Sequence, residues 1–293
     1  MPQPGGNGYP AADLKSRVFA IKRLAAMPQS VWQLMGALRD ERTDAASLGG
    51  IIERDAALAS KVLGLANSAY YGMPDEVTTV QRAVVIIGYQ ELEMLALTAG
   101  LADVFDIQRT PKGFDAYGLW IHCLSVGWVA RVLAFKAGQP NPGEVMVSGL
   151  LHDLGKLILA SFLTDELEQV MELQRRGTPY YLAEETVGVE HCLIGHWLAE
   201  HWKLPHVHAS VIRYHHSPRP DVPYSRSVGL VYLADEIVKG LGFGQVQEAR
   251  PQPLEWVLKS VGLSMEAFRD TAEVAKEKLP PQFDAWRLML KNG

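Results

Sequence analysis

From Ala12 onward, apolar residues return every three or four positions, the spacing of helices that bury one face. This periodicity predicts helices over residues 13–24, 31–42, 44–54 and 56–69. The last ends at Asn67-Ser68 and the turn Tyr70-Tyr71-Gly72-Met73-Pro74. Thr78-Thr79-Val80-Gln81 reads as a capping box for a helix through Ile87, which Gly88 breaks before another over 90–104. The polar stretch 108–113 is the best domain boundary on composition. Beyond it lies a helix over 116–137 that is apolar on most faces. Asn141-Pro142-Gly143-Glu144 follows with N-cap, first-position Pro and acidic third residue in order. The run 145–160 is apolar almost all round, the mark of a central buried helix. Thr164-Asp165-Glu166 caps the next helix and Gly177 ends it. Further helices are predicted over 180–185, 190–202, 205–215 and 226–239, the last after a proline-rich loop at 217–223, with three short ones in 254–290. The alternation of strands is scarce. The expectation is an all-α chain: a lead-in at 1–11, an N-terminal helical subdomain at 12–106, a main helical domain at 114–240, and a C-terminal helical extension at 241–293 packed on the bundle.

Composition narrows the function classes. Hydrophobic residues make up 48% and charged residues 21% of 293, ordinary for a globular protein with ample core. A net charge of −5 and a pI near 6.0 give no electrostatic footprint for nucleic acid. Two cysteines, Cys123 and Cys192, imply no disulfide framework and suit a reducing compartment. The first ten residues are Gly/Pro-rich and polar, unlike a signal peptide. No uninterrupted apolar run reaches membrane-span length. A cytoplasmic protein without membrane or nucleic-acid partners is expected.

The chemistry is concentrated in polar residues that interrupt buried stripes. Within 145–160, Ser148, His152 and Lys156 recur at i, i+4 and i+8, with Asp153 beside them, while Gly149 and Gly155 leave room for close backbone approach. The plain alternative is a buried Asp153–Lys156 ion pair beside a hydrogen-bonded histidine. Asp235 replaces the apolar residue expected in the series Val228, Val231, Asp235, Val238, with Glu236 and Lys239 on the outer face. A carboxylate there requires a cation or strong donors. His122 lies in the nearly all-apolar helix, and His191 shares a face with Ile194, Gly195 and Leu198. His215-His216 ends a helix before the proline loop. His196 groups instead with Cys192, Glu200 and Lys203, a face that reads as solvated, and His201, His206 and His208 have no distinctive context. Inward His and Asp residues on several helices are best explained together, as ligands His122, His152, Asp153, His191, His215, His216 and Asp235. Imidazole and carboxylate suit Fe, Mn, Zn, Ni or Co, and the lack of cysteine on these polar stripes argues against a structural Cys-zinc site. Seven ligands exceed one divalent ion and could hold a pair bridged by Asp153, supplying hydroxide for attack on phosphorus. Asp153 and Lys156 are then the candidate catalytic residues, Lys156 meeting a phosphoryl oxygen.

His122, His152-Asp153-Leu-Gly-Lys156 and Asp235 resemble the HD superfamily of metal-dependent phosphohydrolases, and His191 with His215-His216 resembles its HD-GYP branch. Over about residues 17–240 the chain looks most like the HDOD (HD-related output domain) family. That likeness rests on Leu24-Ala-Ala-Met-Pro28, Ile52-Glu-Arg-Asp55, Leu63 through Gly72, Gln81 through Gly88, Gly188 through Gly195, Trp202-Lys-Leu-Pro205 and Tyr214-His-His216. It implies an HD-domain-like helical bundle with an N-terminal helical subdomain, acting as a bacterial signalling module with protein partners. Ala56 stands where proline is usual, and no Gly-Tyr-Pro follows His215-His216, which weakens cyclic di-guanylate as a substrate. The alternatives are a metal-dependent phosphohydrolase acting on a nucleotide, cyclic dinucleotide or other phosphoester, and oxygen chemistry at a mixed-valent di-iron site. The module is preferred, because fold and ligands alone do not establish turnover.

Overall fold

The computed structural model describes residues 11–21, 29–38, 40, 42–89, 91–93, 95–96, 110–244 and 254–291. Every regular element among them is an α-helix: α1 (Ala11–Phe19), α2 (Gln29–Leu38), α3 (Ala45–Ile52), α4 (Ala56–Ala66), α5 (Val80–Ile87), α6 (Ala116–Lys136), α7 (Pro142–Leu151), α8 (Leu154–Phe162), α9 (Thr164–Arg175), α10 (Tyr180–Val187), α11 (His191–His201), α12 (His206–Tyr214), α13 (Ser225–Leu241), α14 (Leu254–Val261), α15 (Met265–Lys278) and α16 (Pro280–Lys291). The motif at 24–28, most of the helix expected over 90–104 and the first two residues of the boundary stretch at 108–113 lie outside the described residues.

The chain forms two compact units, one of residues 1–24 with 106–275 and one of 25–105 with 276–293. In the second, short helices begin at polar caps. Asp44 accepts from the Ser47 amide, and Asp55 from the Leu58 amide and the Ser30 hydroxyl, so α4 is capped without a proline after Asp55. Asn67 closes the loop that follows: its amide donates to the Leu63 and Val77 carbonyls while its oxygen accepts from the Val77 amide. The capping box expected at Thr78 is not formed. Thr79 is the N-cap of α5, and Gln81 donates to Glu53 instead, because α3 packs against α5 and offers a carboxylate nearer than the helix end.

The first unit carries the polar cluster. Its centre is α6, packed along α7 and α13. Asn141 caps α7 as expected. The helix expected across 145–160 is interrupted: α7 stops at Leu151, His152 and Asp153 form a turn, and α8 starts at Leu154. No glycine or proline marks this break, and the Lys156 amide bonds to the Asp153 carbonyl across it. Nor does Thr164 cap α9; Leu163 occupies that position, with Asp165 and Glu166 in the first turn.

By length and composition 116–136 and 142–162 could each cross a bilayer, but the most apolar stretch of each is mostly buried within the fold. They are core helices, and they are able to pack so closely because of their glycines. A Cβ on Gly149 would meet the Gly127 backbone, where α7 crosses α6. A Cβ on Gly155 would overlap the His191 carbonyl, where α8 crosses the start of α11. Gly155→Ala therefore forces two backbones apart, at a cost of about 3 kcal/mol or more. A urea or thermal melt should register that loss; an unchanged midpoint would contradict the close approach.

Candidate metal centre

The interruption between α7 and α8 places His152 and Asp153 at the middle of the first unit. Asp153 has no exposed surface, and His152 and His122 show 1% each. His122 comes from α6 and Asp235 from α13. His191 and Cys192 open α11, and His215 and His216 close α12. All seven sequence-identified ligand positions are thereby brought into one region. Neighbouring imidazole centroids along His122, His152, His215, His191 and His216 lie 4.0–5.5 Å apart.

The two oxygens of Asp153 face different groups. Oδ2 lies 3.3 Å from His152 Nε2, 3.8 Å from His122 Nε2 and 2.7 Å from Lys156 Nζ. Oδ1 lies 3.4 Å from His191 Nε2 and 3.6 Å from His215 Nε2. Asp235 extends the first group, with Oδ1 3.1 Å from His122 Nε2, and Oδ2 takes a hydrogen bond from Lys239 at 2.6 Å. His216 Nδ1 is 3.9 Å from the same Oδ2.

Three histidines have their ring orientation fixed from behind. His152 Nδ1 donates to the Gly149 carbonyl at 2.6 Å, and His215 Nδ1 to the Ile212 carbonyl at 3.1 Å. His191 Nδ1 donates to the Glu184 carboxylate at 2.8 Å. For His152 this leaves Nε2 as a lone-pair donor aimed at the cluster, which is how metal-binding imidazoles are held. Against burial, Cys192 with the neighbouring carboxylates draws His191 up to about 10 and His215 up to about 9, so each must give up its Nε2 proton before it can ligate. Among the described residues, His152 Nε2 and Asp153 Oδ1 are buried with no hydrogen-bond partner. Orphaned acceptors of this kind are expensive unless a cation or donor reaches them. The donor set and these orphans fit a divalent ion: His122, His152 and Asp153 form one group able to hold one, and His191, Cys192, His215 and His216 another.

Burial sets the protonation states. It would raise the Asp153 carboxyl, but the positive groups around it, the Lys156 ammonium foremost once His152 is neutral, outweigh it and hold the group well below the usual range. Burial likewise works against Asp235, and Lys239 and His122 keep it ionised. His152 is pushed down to about 4 by burial, so it is neutral at pH 7 and able to ligate.

Four side chains have roles the sequence did not disclose. Cys192 was placed on a solvated face, yet it is 6% exposed and its Sγ lies 3.4 Å from His191 Nε2. The reason is that α11 is packed by α8 on one side and α12 on another, which leaves little solvated face near its start. Lys239 was placed outward, yet its ammonium turns in to Asp235 one turn back; the i,i+4 spacing was the available signal. Glu184 stands in the apolar series Tyr180, Ala183, Glu184, Val187, the same anomaly that singled out Asp235. His208 is wholly buried and bonds the Ser148 hydroxyl at 2.8 Å, so Ser148 ties α7 to α12. His196 is partly exposed and bonds the Ala209 carbonyl, away from the centre. Lys156, 3% exposed, sits on Asp153 and over the Tyr180 ring.

A cavity of about 260 Å³ opens beside the second group, lined among others by Tyr181, Glu184, His191, Cys192, Arg213 and His216.

The HDOD domain profile matches residues 24–218. An uncharacterized protein of Treponema pallidum (strain Nichols) is 28% identical over 248 residues, 83% of this chain and 47% of its own length. The chain spans less than half of the curated relatives it matches, 47% of that protein and 36% of YuxH from Bacillus subtilis. Among solved structures, an HDOD domain protein from Geobacter sulfurreducens aligns with a TM-score of 0.70 at 24% identity, over 96% of this chain and 99% of that one. A provisionally assigned phosphohydrolase from Shewanella amazonensis SB2B gives 0.72 at 24%, over 95% and 98%. At these identities the likeness is one of fold.

The ion pair at the centre yields a direct expectation. Lys156→Met keeps the aliphatic volume but leaves the Asp153 carboxylate without its ammonium. In chelator-treated protein this should cost about 3–5 kcal/mol, read by urea denaturation. A change below about 1 kcal/mol, the range of an exposed pair, would contradict a buried pair.

Proposed function

The chain belongs to the HDOD domain family, and on that premise we propose that it is a signalling module built around a buried His/Asp metal centre, with signalling proteins as its partners. The observation that carries this reading is the division of Asp153, whose Oδ2 faces His122 and His152 while Oδ1 faces His191 and His215. His122, His152, Asp153 and Asp235 would hold one divalent transition ion. His191, His215 and His216 would hold a second, with Asp153 between them.

Burial supports a regulatory role over a catalytic one. The His122–Asp235 group has almost no exposed surface. Its ligands come from α6, the α7–α8 turn and α13, helices far apart in sequence. Occupancy therefore acts on the packing of three core elements, as a ligand that binds only the folded chain must.

A specific observation favours a second reading, a metal-dependent phosphohydrolase. The cavity reaches His191 and His216 and is flanked by Arg213. A bound ion pair would supply a hydroxide nucleophile near neutral pH. Arg213, ion-paired with Glu190 at the rim of the same cavity, would have to exchange that carboxylate for the anionic group, and Glu184 would hold His191 in place. The space is below the roughly 300 Å³ at which sites for drug-sized ligands begin, so it suits a small phosphoester and not a cyclic dinucleotide.

Metal analysis of the purified chain, beside a phosphoester panel supplemented with Mn and Mg, separates these readings. The module predicts bound metal without turnover; turnover selects the hydrolase. On either, metal should raise the melting temperature and chelation lower it, with about 2.7 kcal/mol gained at a hundred times the dissociation constant. Asp153→Ala should abolish that response and His196→Ala should preserve it. Melting that ignores both metal and chelator would overturn the centre itself.

A further inference from the structure

Cys192 belongs to the second group of possible ligands, yet neither functional reading uses its sulfur. Its Sγ is 3.4 Å from His191 Nε2 and 3.9 Å from both ring nitrogens of His215. Ligand atoms of His191, Cys192, His215 and His216 all lie within 4.8 Å of one another. The spacing can be compared with what coordination requires. With zinc–sulfur and zinc–nitrogen bonds of about 2.3 and 2.0–2.1 Å, two ligand atoms at a tetrahedral angle stand about 3.5 Å apart. The Cys192–His191 separation meets that value, and a small movement of either ring meets it for His215. Asp153 Oδ1, buried without a hydrogen-bond partner among the described residues, lies against the same group, 3.4 Å from His191 and 3.6 Å from His215.

We propose that Cys192 is a metal ligand, its thiolate joining His191, His215 and His216 to make the second half of the centre a nitrogen–sulfur site. This rests on the metal-centre reading and adds to it the asymmetry of the two halves. The His122 side offers imidazole and carboxylate. The His191 side adds a soft sulfur donor, which favours Zn or Co over Mn or Mg. On ligation the thiol loses its proton to solvent and the sulfur donates its electron pair to the ion, with no change of oxidation state. The thiolate also takes a coordination position beside the cavity, so the site nearest solvent becomes the more closed of the two. The alternative is a buried thiol hydrogen-bonded to His191 and otherwise inert.

Cobalt(II) titration of the full chain tests this without any activity assay. A sulfur-to-cobalt charge-transfer band in the near ultraviolet is expected. It should survive Cys123→Ser, and it should vanish in Cys192→Ser together with at least a tenfold weakening of one metal equivalent. Should either variant fail to fold, zinc-edge X-ray absorption of the unaltered chain gives the same answer through a sulfur shell at about 2.3 Å. Cobalt bound with d–d bands alone, or a zinc shell of only nitrogen and oxygen, overturns the proposal and leaves the metal centre standing. A band that Cys123→Ser removes also overturns it. A chain that binds neither metal overturns both.

Discussion

The carboxylate of Asp153 is the constraint around which the first unit is arranged. It is an ionised group with no exposed surface, and everything water would have supplied must come from the fold. One oxygen has Lys156 one turn along α8 and His152 beside it. The other is met, among the described residues, by imidazole edges from α11 and the end of α12. To bring those helices so near, α8 and α11 must touch backbone to backbone, which Gly155 and Gly195 permit. The turn at His152-Asp153 follows from the same demand. A continuous helix would hold both side chains in its own register, whereas the break carries both into one polar cluster in which α6, α11 and the end of α12 also take part.

Two ammonium groups compete with any ion for these carboxylates. Lys156 holds Asp153 and Lys239 holds Asp235, each through Oδ2, so neither acid is a bare buried charge. The cation that each buried carboxylate requires is therefore already supplied by a lysine. What remains is the geometry of the Oδ1 atoms and of the three histidines whose Nδ1 hydrogens are already committed. A lysine can neutralise a carboxylate but cannot satisfy an imidazole lone pair and a second oxygen at once. The cluster thus carries its own metal-free counter-charges together with surplus acceptors, the combination expected of a centre that stays folded whether loaded or not.

Much of this was legible in the sequence, and the legible part shares one signal. Asp153 and Asp235 were found because each interrupts an apolar stripe, and Glu184 carried the same mark. Cys192 carried none: a cysteine near the start of a helix looks solvated until α8 and α12 are known to cover both sides of it. The helix break at His152 was equally silent, since its cause is tertiary and no Gly or Pro announces it. Lys239 was misplaced because a flexible side chain chooses its partner by distance and not by the helical face of its Cα. Helices were visible wherever polar and apolar faces alternate; at the centre, where α6, α7 and α8 are apolar nearly all round, periodicity says only that a segment is buried.

The central claim is that Asp153 lies between two ion positions. Anomalous diffraction at the cobalt edge from crystals grown with cobalt(II) tests it most directly. The account predicts two peaks about 3.5–4 Å apart, as in paired metal sites, one within ligand distance of His122, His152 and Asp235 and the other of His191 and His215, with Asp153 bridging. A map without peaks in this region, with Lys156 and Lys239 still seated on the two carboxylates, would contradict it and leave an ordinary buried ion-pair network in its place.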